Sequence, residues 1–438
     1  MKQDSYLINL GRWIQRAIDF FIPVMMLFFL EFLLTDFDWL PVNTLLGVGA
    51  GLLIVFLSQI FGSYRNYFND TLDIQIKLVF QHWYLAILLL VFFAFISATP
   101  MEIGRKVTLA WVFVTPFVLF GLKRLSLKLY LSRKVVPTRV ILIGESYEFN
   151  SSELNYLKNR HILVDYLPES ADLTDLPDSF KKPDIYVLNT SSQLAPELVK
   201  QLTQLELSSK INILTMQYFF ESYLRKCFVG FNKEEITFFH DIQPLRFDQL
   251  LLKRTIDIGF TLIMLIVSIP LFVYSVIRIK RESPGKVFFS QERIGINASK
   301  FMVYKFRSMH ENSHFNPYTQ TEDSRIFPYG KKMRQLRIDE IPQCWNVIKG
   351  DMHLCGPRAE WGILVDNYEK EIPFYHERHL ISPGITGWAQ VMYPYGANIE
   401  DARQKLMYDL YYIKNWSVWL EIEIILKTIL VVLGKKGL

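Results

Sequence analysis

The residues able to do chemistry crowd between positions 286 and 390. There the chain reads Ser290-Gln291-Glu292-Arg293-Ile294-Gly295, then Tyr304-Lys305-Phe306-Arg307-Ser308-Met309, then Arg334-Gln335-Leu336-Arg337-Ile338-Asp339-Glu340-Ile341-Pro342-Gln343. Lys349-Gly350-Asp351-Met352, Gly356-Pro357-Arg358-Ala359-Glu360, Arg378 and Ser382-Pro383-Gly384-Ile385-Thr386-Gly387-Trp388-Ala389-Gln390 follow. Two adjacent carboxylates, Asp339 and Glu340, stand among Arg334, Arg337 and Arg358. Neighbouring acids can divide labour, one as nucleophile or metal ligand and the other as base. Guanidinium groups grip phosphate oxygens in a planar, bidentate way, and the Gly-Pro-Arg turn would fix one of them against a ligand. A carboxylate, a hard cation and several arginines together suit chemistry on a diphosphate. A lone Asp-Glu pair among arginines would be a solvated salt-bridge surface. The ordered set of motifs beside an apolar helix separates the two readings.

That helix is Ile258–Ile277, an apolar run with Lys253 and Arg254 before it and Arg278, Lys280 and Arg281 after it. Cations on both flanks give no orientation preference. Pro270 sits mid-run, removing one backbone hydrogen bond and kinking the helix, and Ser268 is placed to satisfy a freed carbonyl. A broken helix over about 256–279 that enters one leaflet and returns explains both features; an ordinary fifth span is the alternative. His376 and His379 lack the zinc His-Glu-x-x-His spacing and read as surface histidines. Trp416–Leu433 is apolar around Glu421, Glu423 and Lys427, and reads as an interfacial amphipathic helix or a packed terminal one.

Ahead of this region lie two others. Residues 1–135 hold four long apolar runs, Phe20–Leu34, Leu40–Phe61, Leu78–Ala98 and Leu109–Leu122, each near the length that crosses a bilayer core. Loop cations put both ends of this four-helix transmembrane bundle on the cytoplasmic side. Glu31 is read as the only ionisable residue inside a run, which argues against an ion relay and for an anchor. Residues 136–245 alternate strand-like runs (Val140–Ile143, Ile162–Tyr166, Asp184–Leu188, Ile211–Leu214) with helical ones (Ser152–Lys158, Pro196–Leu207), the pattern of a small parallel Rossmann-like α/β domain. After its first strand comes Gly144-Glu145-Ser146-Tyr147-Glu148, without the further glycines of a phosphate cradle and with two acids that would repel a pyrophosphate. The domain is therefore read as structural or regulatory.

Composition agrees. Of 438 residues 50% are apolar and 15% aromatic, which excludes a disordered chain, and a net charge of +5 spread along the sequence disfavours nucleic acid as a partner. Three cysteines with no CxxC pair argue against a disulfide scaffold and against a zinc site.

With those motifs in hand, residues 250–438 resemble the bacterial sugar transferases, the monotopic phosphoglycosyl transferases that start glycan assembly on a polyprenyl phosphate. The resemblance rests on Lys253-Arg254-x-x-Asp257, the proline-broken helix, Lys305-Phe306-Arg307-Ser308-Met309, Asp339-Glu340, Gly-Pro-Arg and Pro-Gly-Ile-Thr-Gly-Trp-Ala-Gln. It implies a mostly helical catalytic domain with a re-entrant membrane helix, in a bacterial inner membrane with the site facing the cytoplasm. It also implies transfer of a sugar-1-phosphate from a UDP-sugar to undecaprenyl phosphate with release of UMP, magnesium as the cation, and a role in exopolysaccharide, capsule or O-antigen assembly. Asp339 resembles the nucleophile and metal ligand, and Glu340 its proton-handling partner. Arg334 and Arg358 resemble phosphate-binding arginines, with Lys305, Arg307, Arg337 and Arg378 as further candidate substrate-binding cations, and Pro270 resembles the helix-breaking residue of the membrane break, beside Ser268. Family members often have Ser-Pro at the break and proline after Gly-Pro-Arg, where this chain has Ser268-Ile269-Pro270 and Ala359. Large members often pair with themselves, which makes the α/β domain a candidate homodimer surface. The rival readings are a membrane-bound nucleotide-sugar dehydratase or epimerase, which needs an intact glycine-rich loop, and an inactive assembly scaffold. Because every motif follows residue 250, chemistry is expected to survive removal of the first 245 residues.

Overall fold

The computed structural model describes residues 2–34, 41–61, 63–66, 72–96, 105–131, 137–144, 147–160, 162–168, 184–188, 196–208, 212–230, 242–311, 323–393 and 398–433. The chain divides into two compact units, 1–137 and 138–438.

The first unit is helical: α1 (Lys2–Leu34), α2 (Pro41–Ile60), the short α3 (Ser63–Asn66), α4 (Leu72–Ile96) and α5 (Arg105–Leu131). Three stretches in it are long and apolar enough to cross a membrane, Gly11–Leu34, Ile74–Phe93 and Lys106–Leu129, and Thr44–Ile60 is a shorter apolar helix. Its core joins Leu27, Ile54, Trp83 and Trp111, the two tryptophans meeting edge to face at 5.1 Å. Glu31 is not the only ionisable residue within the helical unit. Asp19 and Lys123 form a buried ion pair at 2.6 Å, Tyr64 donates to the same Asp19 oxygen, and His82 is buried against Ser58 at 3.0 Å. α1 starts well before the apolar run and α5 ends well after it, so charges that looked flanking lie inside the bundle. Such polar groups hold helices together where apolar burial does not discriminate.

In the second unit β1 (Thr138–Ile143), α6 (Ser151–Asn159), β2 (Ile162–Leu167), β3 (Ile185–Leu188), α7 (Pro196–Ser208) and β4 (Asn212–Thr215) come first. The strands form one parallel sheet in the order β2-β1-β3-β4. Val140, Leu142, Val187 and their neighbours are buried, as expected of strands covered on both faces. Glu145 and Ser146 lie outside the described residues. At the α6 N-terminus, where a cradle would hold phosphate, Asn150 and Glu153 close a capping box. The Glu153 carboxylate also meets Tyr147 and the buried Lys226.

The chain then runs through the one-turn α8 (Met216–Phe219) to α9 (Phe247–Glu282), β5 (Phe288–Ile294), β6 (Lys300–Phe306), α10 (Pro328–Gln335), a 3-10 turn at Ile338–Gln343 and α11 (Cys344–Lys349). β7 (His353–Cys355), α12 (Gly362–Glu371), a second 3-10 turn at Tyr375–Leu380, β8 (Gly384–Thr386), α13 (Trp388–Met392), α14 (Ile399–Lys414) and α15 (Val418–Leu433) complete it. β5 and β6 pair antiparallel, and β7 and β8 pair parallel. One hydrophobic cluster runs from Val140 and Phe220 through Trp388 and Leu406 to Ile424, so the sheet domain and the motif-bearing region share a core.

α9 is 36 residues long, helical through Pro270, and contains the most apolar stretch of the four helices long and apolar enough to cross a membrane among the described residues. Ser268 Oγ donates to the Leu265 carbonyl at 3.1 Å, one residue before Ile266, whose carbonyl the proline deprives of a partner. Buried positions fall at both ends only, Lys253, Asp257 and Thr261 on one side and Ser275 and Ile279 on the other. None occurs from 262 to 274.

The Lys253-x-x-x-Asp257 part of the motif explains the first of these docks. Lys253 donates to the Cys355 carbonyl at 3.0 Å and pairs with Glu421 of α15. Asp257 accepts from Leu354 N at 2.9 Å and meets His353 Nδ1 at 2.6 Å. Lys253, Asp257 and Glu421 are fully buried. α15 is thus turned with Glu421 and Glu423 inward and Leu426, Ile429 and Leu430 exposed.

Candidate functional site

Asp339 and Glu340 lie in the 3-10 turn between α10 and α11. The turn starts from Arg337, whose backbone is left-handed at φ 57°, a conformation that persists in a bulky residue only when its surroundings impose it. Asn346 of α11, fully buried, accepts from Tyr304 N at 3.1 Å and donates to the Met302 carbonyl at 2.6 Å. That clamp fixes the turn against β6 and brings Lys305 over it.

Three cations converge on one oxygen of Glu340: Lys305 Nζ at 3.2 Å, Arg337 Nη1 at 3.3 Å and Arg358 Nη1 at 3.5 Å. Burial would raise the Glu340 pKa, but these cations outweigh it and hold the carboxyl below its usual range. Asp339 goes the other way. Burial, then the adjacent Glu340 charge, push it up to about 6 against the pull of Lys305, Arg334 and Arg337. Its Oδ1 is buried with no hydrogen-bond partner. Environments that push two neighbouring acids apart mark out different roles for them.

Of the sequence candidates, Lys305, Arg337 and Arg358 therefore meet Glu340 directly, and Asp339 beside it feels the charges of Lys305, Arg334 and Arg337. Two others stand elsewhere. Arg307 is buried and directs its guanidinium to Ser283 Oγ at 2.9 Å, the Ser283 carbonyl and the Lys286 carbonyl, tying β6 to the end of α9. Arg378 is buried between Tyr375 and Asp409, at 2.8 Å from the latter, and donates to the Arg358 carbonyl at 3.0 Å. It holds the backbone of a cation in the cluster. Sequence reasoning left out Arg293 and Lys405, whose charges reach Lys305 and Glu360. Arg293 stood in a noted motif, but Lys405 sits on an amphipathic helix with no local signal. His379 is buried rather than superficial, while His376 is exposed and faces Glu369 at 3.0 Å.

The Gly-Pro-Arg and Pro-Gly-Ile-Thr-Gly motifs are two sides of one backbone contact. Gly356 N donates to Thr386 O at 2.9 Å and Gly384 N to Pro357 O at 2.9 Å. A Cβ on Gly384 would stand 2.1 Å from Gly356 N. Gly384→Ala is therefore expected to force β7 and β8 apart, displace Arg358 and leave little folded or active protein. Near-normal yield and turnover would contradict this packing.

Magnesium takes one or two carboxylates and completes its octahedron with substrate phosphates and water. Among the described residues no three His, Cys, Asp or Glu side chains gather as a cage. The unpartnered Asp339 oxygen is the kind of single hard ligand such a cation uses.

The profile described as bacterial sugar transferase matches residues 248–435. The chain is 48% identical over 188 residues to a UDP-N-acetylgalactosamine-undecaprenyl-phosphate N-acetylgalactosaminephosphotransferase of Aeromonas hydrophila, covering 42% of this chain and 44% of that protein. It is 38% identical over 191 residues to a UDP-glucose:undecaprenyl-phosphate glucose-1-phosphate transferase of Escherichia coli (strain K12), covering 42% of this chain and 41% of that protein. Against those two the match spans less than half of either partner's length. An exopolysaccharide production protein of Rhizobium leguminosarum bv. phaseoli is 38% identical over 191 residues, 41% of this chain and 94% of the relative. The matched segment contains Asp339, Glu340 and every cation around them, and on that ground the chain belongs to the bacterial sugar transferase family.

Proposed function

We propose that the protein transfers a sugar-1-phosphate from a UDP-sugar to undecaprenyl phosphate through a covalent intermediate on Asp339. The observation that carries the reading is the divided carboxylate pair, one acid neutralised by three cations and the other left with a buried, unpartnered oxygen. An Asp339 oxygen attacks the sugar-bearing phosphorus. The bond from that phosphorus to the bridging oxygen breaks, and UMP leaves with the electron pair. A phosphate oxygen of the lipid then attacks the same phosphorus, and the bond to Asp339 breaks. No water is consumed. Lys305, Arg334, Arg337 and Arg358 offset charge on the diphosphate and on the leaving UMP. Magnesium, held by Asp339 and the diphosphate, would supply further charge neutralisation.

Glu340 is held ionised by its cations and acts chiefly by ordering them and by raising its neighbour. A phosphate monoester has its second pKa near about 6 and needs little help to lose that proton. The test is radiolabel transfer to undecaprenyl phosphate from a panel holding UDP-glucose, UDP-galactose and UDP-N-acetylgalactosamine. Transfer with UMP release supports the reading, and failure with every donor removes it.

The raised Asp339 pKa carries a pH signature. Protonation removes the nucleophile, so kcat/KM is expected to fall tenfold per unit below about pH 6, rather than holding down to about pH 4 as for an ordinary aspartate. A flat profile from about pH 5 to 8 would count against Asp339 as attacking group.

α9 is proposed to enter and leave the membrane on the cytoplasmic face. Both of its ends dock on the same compact unit, through Lys253 and Asp257 at one and Ser275 with Tyr329 Oη at 2.8 Å at the other. None of residues 262–274 between them is fully buried, and they are mostly apolar. Cysteines placed at Leu250 and Glu282 are expected to resist an impermeant reagent applied outside intact cells. Labelling of position 282 from outside would mean that α9 crosses.

A further inference from the structure

Arg225 follows the sheet domain and precedes the family-matched segment 248–435. Its backbone is left-handed at φ 55° and its side chain is 2% exposed. Both nitrogen-to-oxygen distances from its Nη1 to the Glu423 carboxylate are 2.9 Å. Its guanidinium carbon lies 4.3 Å from the centroid of the Trp388 ring, and its own carbonyl accepts from Trp388 Nε1 at 2.9 Å. One residue therefore grips the tryptophan by face and by edge. Lys427 approaches the same ring at 5.2 Å and Glu423 at 3.6 Å. A strained backbone, a desolvated charge and a stacked ring at one point require surroundings that determine them together.

Trp388 opens α13, and two residues on Gln390 Oε1 accepts from Arg358 Nη1 at 3.5 Å. Arg358 is one of the three cations on Glu340. We infer that Arg225 is a positioning residue for the transfer reaction: it holds α13 so that Gln390 steadies the Arg358 guanidinium over the carboxylate pair. The α/β domain's trailing segment thus completes a site that otherwise lies wholly within the family-matched region. The inference rests on the transfer chemistry proposed above, and its test separates the two.

In the full chain, Arg225→Ala and the milder Arg225→Lys are compared with the parent by hydrogen exchange and by UMP release. Lysine keeps a cation between Glu423 and the ring but lacks the planar guanidinium that lies over Trp388. Faster exchange is expected in residues 356–360 and 387–392, with the sheet strands 138–143 and 185–188 unchanged. A displacement of about 1 Å at a binding group can lower turnover by about 100-fold, so Arg225→Ala is expected to lose ten- to a hundredfold in kcat/KM, and Arg225→Lys less. Introduced into Arg358→Gln, Arg225→Ala should cost little more, because the group it positions is already gone. Unchanged exchange at 387–392, or faster exchange there with parental kcat/KM, overturns the inference. So do losses from the two substitutions that multiply independently. If Arg225→Ala does not fold, Arg225→Lys carries the same comparisons. A parent chain that releases no UMP with any donor refutes the transfer reaction, and the exchange comparison then decides whether Arg225 orders Arg358.

Discussion

Asp339→Asn is expected to cut UMP release by about 1,000-fold or more, since on the proposed chemistry it removes the nucleophile on which both half-reactions depend. The same substitution is expected to raise the melting temperature at neutral pH. Burial and Glu340 lift the folded-state pKa of Asp339 to about 6, above the roughly 3.9 of an unfolded aspartate. Between those values the folded chain binds more protons than the unfolded one, so stability falls as pH rises through the window. Above it the full cost of an ionised, partly desolvated carboxylate is present, and the neutral amide removes it. The stabilisation should accordingly vanish below about pH 4, where both states are protonated. Two measurements on one protein decide the matter: the UMP burst with excess UDP-sugar and no lipid acceptor, and the melting temperature across pH. An asparagine variant with a normal burst would remove Asp339 as the nucleophile. A lower melting temperature at neutral pH would mean that the surrounding cations outweigh burial.

The parts of this site that the sequence displays are those encoded in short runs. Asp339 and Glu340 are adjacent, and the glycines of Gly-Pro-Arg and Pro-Gly-Ile-Thr-Gly mark where two backbones touch. The α/β strands were legible because apolar runs and turn residues alternate over a few positions. Partner choice was not legible. Lys305 and Arg307 are two residues apart on one strand end, yet Lys305 meets Glu340 while Arg307 turns to Ser283. Arg358 and Arg378 share a residue type, yet only Arg358 meets the carboxylate pair, and Arg378 binds its backbone. The Asp19–Lys123 pair escaped notice because its members are 104 residues apart and each looked like a span boundary. In each case tertiary packing chooses among equally charged side chains, and a local pattern carries no record of that choice.

Shared packing also moves the boundary at which the chain can be shortened. A chain beginning at Thr138 keeps the whole second unit and is expected to release UMP in detergent or lipid particles. A chain beginning at Asp248, which motif placement alone favours, is expected to fold poorly and to lose most activity. It would lack Phe219, Phe220, Leu224, Phe228 and Val229, all buried in the cluster that contains Trp388, Leu406 and Leu410. Burying a large apolar side chain stabilises by about 1.5–3 kcal/mol, so five such losses rival the roughly 5–15 kcal/mol that holds a domain together. Polar ties would go as well: Cys227 N to Met407 O at 2.8 Å, Arg403 Nη1 to Val229 O at 2.6 Å, and Lys226 Nζ to Gln404 at 2.7 Å. Glu423, 1% exposed, would lose the arginine whose Nη1 contacts both of its carboxylate oxygens. The Rhizobium relative, 94% of which lies in the matched segment, leaves room for little beyond it. In this chain the α13–α14 surface is an interior. Yield, size-exclusion profile and UMP release of the two shortened chains decide the point. A monodisperse Asp248 chain with full activity would show that the segment ahead of it is a passenger.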